Sequence, residues 1–216
     1  MAIYLDSAII AEAQTAKELG WVKGITTNPT LLSKTDLPVE TTLKKLAELT
    51  NGPVFYQLIS SELDEMVKEG RKAFEIIGHQ TVLKIPATIV GFQAVSCLSP
   101  EITCSVTAIY SAAQAAVARE AGAKYAIAYV NRATKLLGDG VALVREMASV
   151  LAGSTTDILA ASIKSPEEAA ASLQAGAHHL TLPLSMLQAM ATNELSLQTV
   201  DEFAKNGRGI LQPVNQ

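Results

Sequence analysis

Cysteine is scarce in this sequence: Cys97 and Cys104 are the only two in 216 residues, and they form neither a CxxC pair nor an evident disulfide framework. That usage fits a reducing compartment. The N-terminal stretch MAIYLDSAII lacks the basic segment and cleavage site of an export signal, so a cytoplasmic location is expected. Absent too is any basic block. Seventeen Lys and Arg against 21 Asp and Glu leave a formal charge of -4, which disfavours a nucleic-acid or anionic-membrane surface and favours a small-molecule partner. No uninterrupted run of 18 apolar residues occurs, so a membrane span is not expected. Finally, the turn after the first apolar run reads DSAII, without the glycines that a doubly wound sheet ordinarily places in a phosphate loop there.

What is present is apolar matter in short pieces. With 49% hydrophobic residues the chain can bury a sizeable core. Eight β-branched or apolar runs recur: AIYLDS at 2–7, GITTNP at 24–29, VFYQL at 54–58, TVLKIP at 81–86, ITCSVT at 102–107, YAIAYV at 125–130, DILAAS at 157–162 and HHLTLP at 178–183. Helical periodicity fills the gaps. In SELDEMVKEGRKAFEIIG, Leu63, Met66, Val67, Gly70, Ala73, Phe74 and Ile77 share one face, and Gly78 ends the helix. Ser165, Pro166 and Glu168 carry a capping-box start, with Gly176 as the stop. Eight strands alternating with helices imply an α/β chain of the (β/α)8 TIM-barrel type, for which roughly 200 residues is the lower bound. No linker or low-complexity tract divides it. A single domain over 1–216 is expected, with 193–216 as a helical appendage centred on Ser196–Asn206.

In such a barrel, alternate strand residues point inward and sites form at the strands' C-terminal ends. Lys84 lies late in TVLKIP. Facing inward it shares a side with Val82 and Pro86 and leaves Leu83 and Ile85 to the helices. Desolvation would then favour the neutral amine, the form that attacks a carbonyl to give a Schiff base. The alternative is a lysine snorkelling to solvent or pairing with a carboxylate. The same late-strand rule collects Asp6, Thr26, Asn28, Gln57, Thr107, Tyr129 and Ser162 around one mouth, where a purely structural interior would prefer Val, Ile and Leu. Each has a plainer reading. Asn28 precedes Pro29 and suits a turn, Thr26 and Thr107 suit strands, Ser162 suits a tight space, and Asp6 suits a helix cap.

Metal chemistry finds little support. His79 sits beside a helix-ending glycine, and the adjacent His178 and His179 must point to opposite faces of a strand, so one ring at most could face the mouth. Cys104, near the start of its strand, suits packing better than nucleophilic attack.

Taken together, LDSA, GITTNPTLL at 24–32, VLKIPAT at 82–88, SVTAIYSAAQAAVAREAGAKYAIAYVNR at 105–132, LAASIKSPEEA and GAHHLTLPL resemble the small transaldolase-like family, and within it the fructose-6-phosphate aldolase branch. The likeness runs to about Leu187. It implies a class I aldolase in which Lys84 forms an imine with a ketose or dihydroxyacetone, with no cofactor or metal. By the same resemblance, Asp6 and Asn28 hold donor hydroxyls and relay protons, while Gln57, Thr107 and Tyr129 place a catalytic water, with the phenol helping to move the proton. Arg132 and Ser162 receive the phosphate of the aldehyde part, with Thr26 a neighbour. Its implied partners are sugar phosphates, dihydroxyacetone and aldehydes, and its implied assembly is a ring-like homo-oligomer, a pentamer or decamer, reached through the terminal helix. That helix could instead close the bottom of its own barrel. Transaldolases carry Glu and Phe where this chain has Gln57 and Tyr129, which favours a lyase over a transaldolase. A barrel that binds sugar phosphate without turnover is the third reading.

Overall fold

The computed structural model describes residues 1–210; the last part of the expected appendage, 211–216, lies outside the described residues. Each of the eight apolar runs forms a strand. Strand β1 (Ala2–Asp6) leads to helix α1 (Ile10–Glu18), and the short β2 (Ile25–Thr26) to α2 (Pro29–Leu32) and α3 (Val39–Glu48). Next come β3 (Val54–Gln57), α4 (Leu63–Ile77), β4 (Thr81–Pro86), α5 (Ile89–Leu98), β5 (Thr103–Ile109) and α6 (Ala112–Glu120). After β6 (Tyr125–Tyr129) follow α7 (Val130–Leu137) and α8 (Gly140–Val150), then β7 (Asp157–Ala161), α9 (Pro166–Gln174), β8 (His179–Leu182), α10 (Leu184–Met190) and α11 (Glu194–Asn206). All pairings are parallel and sequential, and β1 closes on β8 through Ala2–His179 to Leu5–Leu182. This closed (β/α)8 barrel excludes the doubly wound sheet, whose edge strands would stay unpaired.

Closure divides the apolar residues into two cores by strand alternation. Leu5, Ile25, Leu83, Ile85, Val106 and Ala128 face outward into the layer shared with the helices. Tyr4, Phe55, Val82, Ile127 and Leu159 face inward and plug the barrel, leaving its C-terminal end to the polar residues above them. Plug packing is aromatic, with ring centroids 5.4 Å apart for Tyr4 and Phe55 and 5.3 Å for Phe55 and Tyr125.

Helix α4 buries Met66, Gly70, Ala73 and Ile77 as its periodicity requires, but Phe74, assigned to the same face, is 39% exposed at its margin. Gly70 is there for proximity: a Cβ would come within 2.9 Å of Leu83 Cδ1, so glycine lets α4 lie directly on β4. Ser165 caps α9 by accepting from Glu168 N at 3.1 Å, yet the reciprocal bond of a capping box is displaced by one residue. Glu168 Oε2 accepts from Lys164 N at 2.7 Å, not from Ser165 N. On α11, Leu195, Leu197, Val200 and Phe203 are all at least 61% exposed and no residue of the helix is buried, so it does not close the bottom of its own barrel. No helix among the described residues is long and apolar enough to cross a membrane.

Candidate active site

Inward alternation along β4 carries Lys84 to the floor of the mouth. The side chain is buried, at 4% exposure, and Nζ donates a 2.9 Å hydrogen bond to the carbonyl of Thr27. Thr27 is itself held, because its hydroxyl donates to Phe55 O at 2.7 Å and its N–H reaches the same carbonyl at 3.0 Å. Burial lowers the Lys84 pKa from its ordinary 10.5, and the Asp6 carboxylate opposes that shift. A buried amine with one carbonyl acceptor and, among the described residues, no carboxylate bound directly to it has weak support for a charge, so the neutral nucleophilic form is favoured.

Around it lies a cavity of about 420 Å³ lined by Asp6, Asn28, Gln57, Lys84, Tyr129, Arg132 and Ser162, seven of the nine residues expected from the sequence. They arrive from the ends of six different strands or the loops that follow them, as barrel geometry permits. Thr26 and Thr107 stand beneath the surface instead. Thr26 is fully buried and donates to Asp6 Oδ1 at 2.8 Å. Having one proton, it must then accept from Thr181 at 2.5 Å, which makes a directed chain from Thr181 through Thr26 to Asp6. Thr107, 1% exposed, donates to Tyr129 OH at 2.9 Å.

That last bond sets the chemistry of the phenol. With its oxygen accepting from Thr107, Tyr129 keeps its own proton free to give into the cavity. Burial raises the Tyr129 pKa while the Thr107 bond lowers it, Asp6 raises it and Arg132 lowers it, with a net rise that keeps the group protonated. The Arg132 guanidinium carbon lies 5.4 Å from the centre of the Tyr129 ring, so the arginine is oriented by a cation–π contact at the rim. Gln57 Oε1 is buried without a hydrogen-bond partner among the described residues. A buried amide oxygen of this kind calls for a donor from a bound molecule.

Asn28 does two things at once, since its Oδ1 accepts from Leu31 N at 3.0 Å to start α2 while the residue borders the cavity. Ser162 adopts a left-handed conformation, φ 60°, immediately after β7. Ala108 does the same, φ 59°, at an irregularity in the β5–β6 register just after Thr107. Non-glycine residues in that region are sparse and gather at sites. Three contributors were not anticipated: Thr181, Lys164 and the Thr27 carbonyl. Thr181 obeys the late-strand rule in HHLTLP and was legible there. Lys164 lies beyond a strand end, and a carbonyl has no residue type to betray it.

The histidines do not join the site. His178 Nδ1 accepts from Ile158 N, while His179 turns inward at the opposite end of the barrel, 3.2 Å from Asp157. Among the described residues no group of three His, Cys, Asp or Glu side chains is placed to hold a metal ion. Cys104 is buried, and desolvation pushes its thiol up to about 12, consistent with packing.

A sequence profile described as transaldolase/fructose-6-phosphate aldolase matches residues 3–212. The chain belongs to this family. Three similar proteins all bear the name probable transaldolase. One from Hydrogenobaculum is 37% identical over 95% of this chain and 96% of its own length. One from Aquifex aeolicus is 34% identical over 95% and 96%, and one from Clostridium kluyveri 34% over 97% and 99%. Solved structures of mandelate oxidase share the architecture, one with a TM-score of 0.63 over 93% of this chain and 71% of the other at 16% identity. That likeness concerns the barrel alone. The transaldolase/fructose-6-phosphate aldolase family is one of Schiff-base enzymes, and the buried amine of Lys84 suits that chemistry.

Proposed function

We propose that this enzyme is a class I aldolase that reversibly splits fructose 6-phosphate into dihydroxyacetone and glyceraldehyde 3-phosphate through an imine on Lys84. The neutral amine adds to the ketone carbon, and uptake of a proton with loss of water gives an iminium. A base takes the proton from the hydroxyl next to the scissile bond, the carbon–carbon bond breaks, and its electron pair moves to the iminium nitrogen as an enamine. Glyceraldehyde 3-phosphate leaves. Protonation of the enamine carbon and hydrolysis release dihydroxyacetone and restore the amine. Tyr129, oriented by Thr107, takes up the hydroxyl proton as it passes its own on to the Asp6 carboxylate, and Gln57 holds the attacking water through its unpartnered oxygen. Asp6, backed by Thr26, and Asn28 bind the hydroxyls of the donor half. The phosphate goes to Arg132, Ser162 and Lys164, the cationic side of the cavity.

One observation carries this reading above transfer: the residue beside Lys84 that can give up a proton is the phenol of Tyr129, with a glutamine, Gln57, where the resembled transaldolases place a carboxylate. An amide cannot take a proton from water, so the acid–base work falls to the phenol of Tyr129 together with the Asp6 carboxylate. The names of the relatives favour the second reading, a transaldolase that keeps the enamine for another aldehyde. Fructose 6-phosphate supplied with and without erythrose 4-phosphate separates the two. A lyase releases dihydroxyacetone without the acceptor; product only in its presence establishes transfer. For assembly we propose a homo-oligomer joined through the apolar side of α11, whose Leu195, Leu197, Val200 and Phe203 are uncovered in the single chain. Sedimentation of wild type and Phe203→Asp tests it, and a wild-type monomer at micromolar concentration contradicts it.

A further inference from the structure

The cationic side of the cavity is spread over two separate pieces of chain, and something must hold them at a fixed spacing. Arg132 rises from the first turn of α7, whereas Ser162 and Lys164 sit on the loop between β7 and α9. That loop begins in the left-handed conformation of Ser162, which persists only where its surroundings over-determine it. Arg132 rests on the Tyr129 ring, but both it and Lys164 are exposed, so a side-chain contact alone does not fix their spacing. Their anchorage is therefore in the backbone.

Glu168 supplies it. Its Oε2 accepts from Lys164 N at 2.7 Å and its Oε1 from Asn131 Nδ2 at 3.4 Å. Asn131 N in turn donates to Ser162 O at 3.2 Å. One carboxylate and one amide thus brace both pieces of chain, one residue before Arg132 and at Lys164 itself. An ordinary capping box would spend Glu168 on the N–H of its own cap, Ser165. Here the bond falls one residue earlier and secures the loop. Electrostatics alone argues against a carboxylate so near a site for a phosphate dianion, which leaves geometry as its use.

We infer that Glu168, together with Asn131, is a positioning residue that fixes the spacing of Arg132, Ser162 and Lys164 and so sets the preference for phosphorylated over unphosphorylated aldehydes. This rests on the proposed aldolase reading of the same cavity. Residue and ligand do not meet; Glu168 acts through the backbone it holds.

The test is aldol synthesis from dihydroxyacetone with either glyceraldehyde 3-phosphate or glyceraldehyde, for wild type, Glu168→Ala, Glu168→Gln and Asn131→Ala. In Glu168→Ala, KM for the phosphorylated aldehyde rises about tenfold, the size of one lost charge-assisted hydrogen bond. Its kcat, and both constants for glyceraldehyde, stay at wild-type values. Glu168→Gln keeps an oxygen for Lys164 N, and its NH2 donates to Asn131 once that amide turns its Oδ1 inward, so the wild-type KM is recovered to within about twofold. Charge alone gives the opposite sign, because deleting a carboxylate would tighten phosphate binding in both variants. A fallen or unchanged KM for glyceraldehyde 3-phosphate in Glu168→Ala overturns the inference, as does an equal change for both aldehydes. Should Glu168→Ala lose its cooperative melt, Asn131→Ala decides: a selective rise of KM for the phosphorylated aldehyde supports the brace, and none overturns it. Borohydride trapping of dihydroxyacetone on wild type is run alongside. If no adduct forms, the aldolase reading has failed, a result distinct from a trapped enzyme without phosphate selectivity.

Discussion

Removing the phenol oxygen at position 129 separates catalysis from folding. In Tyr129→Phe the lost proton carrier lowers fructose 6-phosphate cleavage about 10²- to 10⁴-fold, or roughly 3–5 kcal/mol in the barrier. The same change strips Thr107 of its 2.9 Å partner. Thr107 is 1% exposed, and an unsatisfied buried hydroxyl costs about 1–3 kcal/mol. The cavity of about 420 Å³ at Tyr129 can admit water to that hydroxyl, so the lower end applies. About 1 kcal/mol corresponds to a fall of roughly 2–4 °C in Tm for a chain of this size. Adding Thr107→Val removes the orphaned hydroxyl and recovers most of that Tm, while cleavage stays depressed. Calorimetry follows stability, and a coupled assay for glyceraldehyde 3-phosphate follows cleavage. Borohydride trapping of dihydroxyacetone, which needs no proton on the scissile bond, remains within a few-fold of wild type. Turnover within twofold of wild type in Tyr129→Phe, or activity restored by the second substitution, refutes the assignment of the phenol as proton carrier.

Other consequences follow from the same geometry. Because burial depresses the Lys84 pKa below 10.5, the unfolded chain takes up this proton first as pH falls. Wild-type stability relative to Lys84→Met therefore rises with pH up to about 10.5, as linkage requires, and denaturant titrations at several pH values measure the trend. A constant difference across that range contradicts a desolvated amine. His179 behaves alike at lower pH: burial, opposed by Asp157, holds it below 6.5, so stability falls as the solution is taken from pH 7 to 5. His179→Phe, which keeps the stacking at 5.7 Å on Tyr4, flattens that slope in thermal melts, whereas an unchanged slope excludes His179 as its source. Gly70→Ala forces a methyl to within 2.9 Å of Leu83 Cδ1 and 3.0 Å of Leu98 Cδ1. Overpacking of about 1–3 kcal/mol outweighs the helical gain of about 1 kcal/mol, so the urea midpoint drops. A raised midpoint would show that α4 and β4 have room to spare.

Strand positions were legible because each inward residue of this barrel must alternate with an apolar outward one, and the TVLKIP pattern leaves Lys84 a single economical orientation. Convergence of Asp6, Asn28, Gln57, Tyr129 and Ser162 followed from the same alternation plus strand direction. Depth within the mouth did not. Whether Thr26 and Thr107 line the cavity or support those that do depends on register between neighbouring strands and on the bulge at Ala108, neither of which local residue types encode. Phe74 shows the matching limit for helices, since periodicity sets a direction but not how far the opposing layer extends. The brace at Glu168 was visible as a capping box and only the coordinates revealed which N–H it takes.

The most direct measurement is the pH dependence of borohydride trapping with dihydroxyacetone, with the adduct located by peptide mass mapping. An adduct on Lys84 alone, formed with an apparent amine pKa below the ordinary 10.5, is the expected outcome. No adduct, an adduct on an exposed lysine instead, or a midpoint at 10.5 would contradict it.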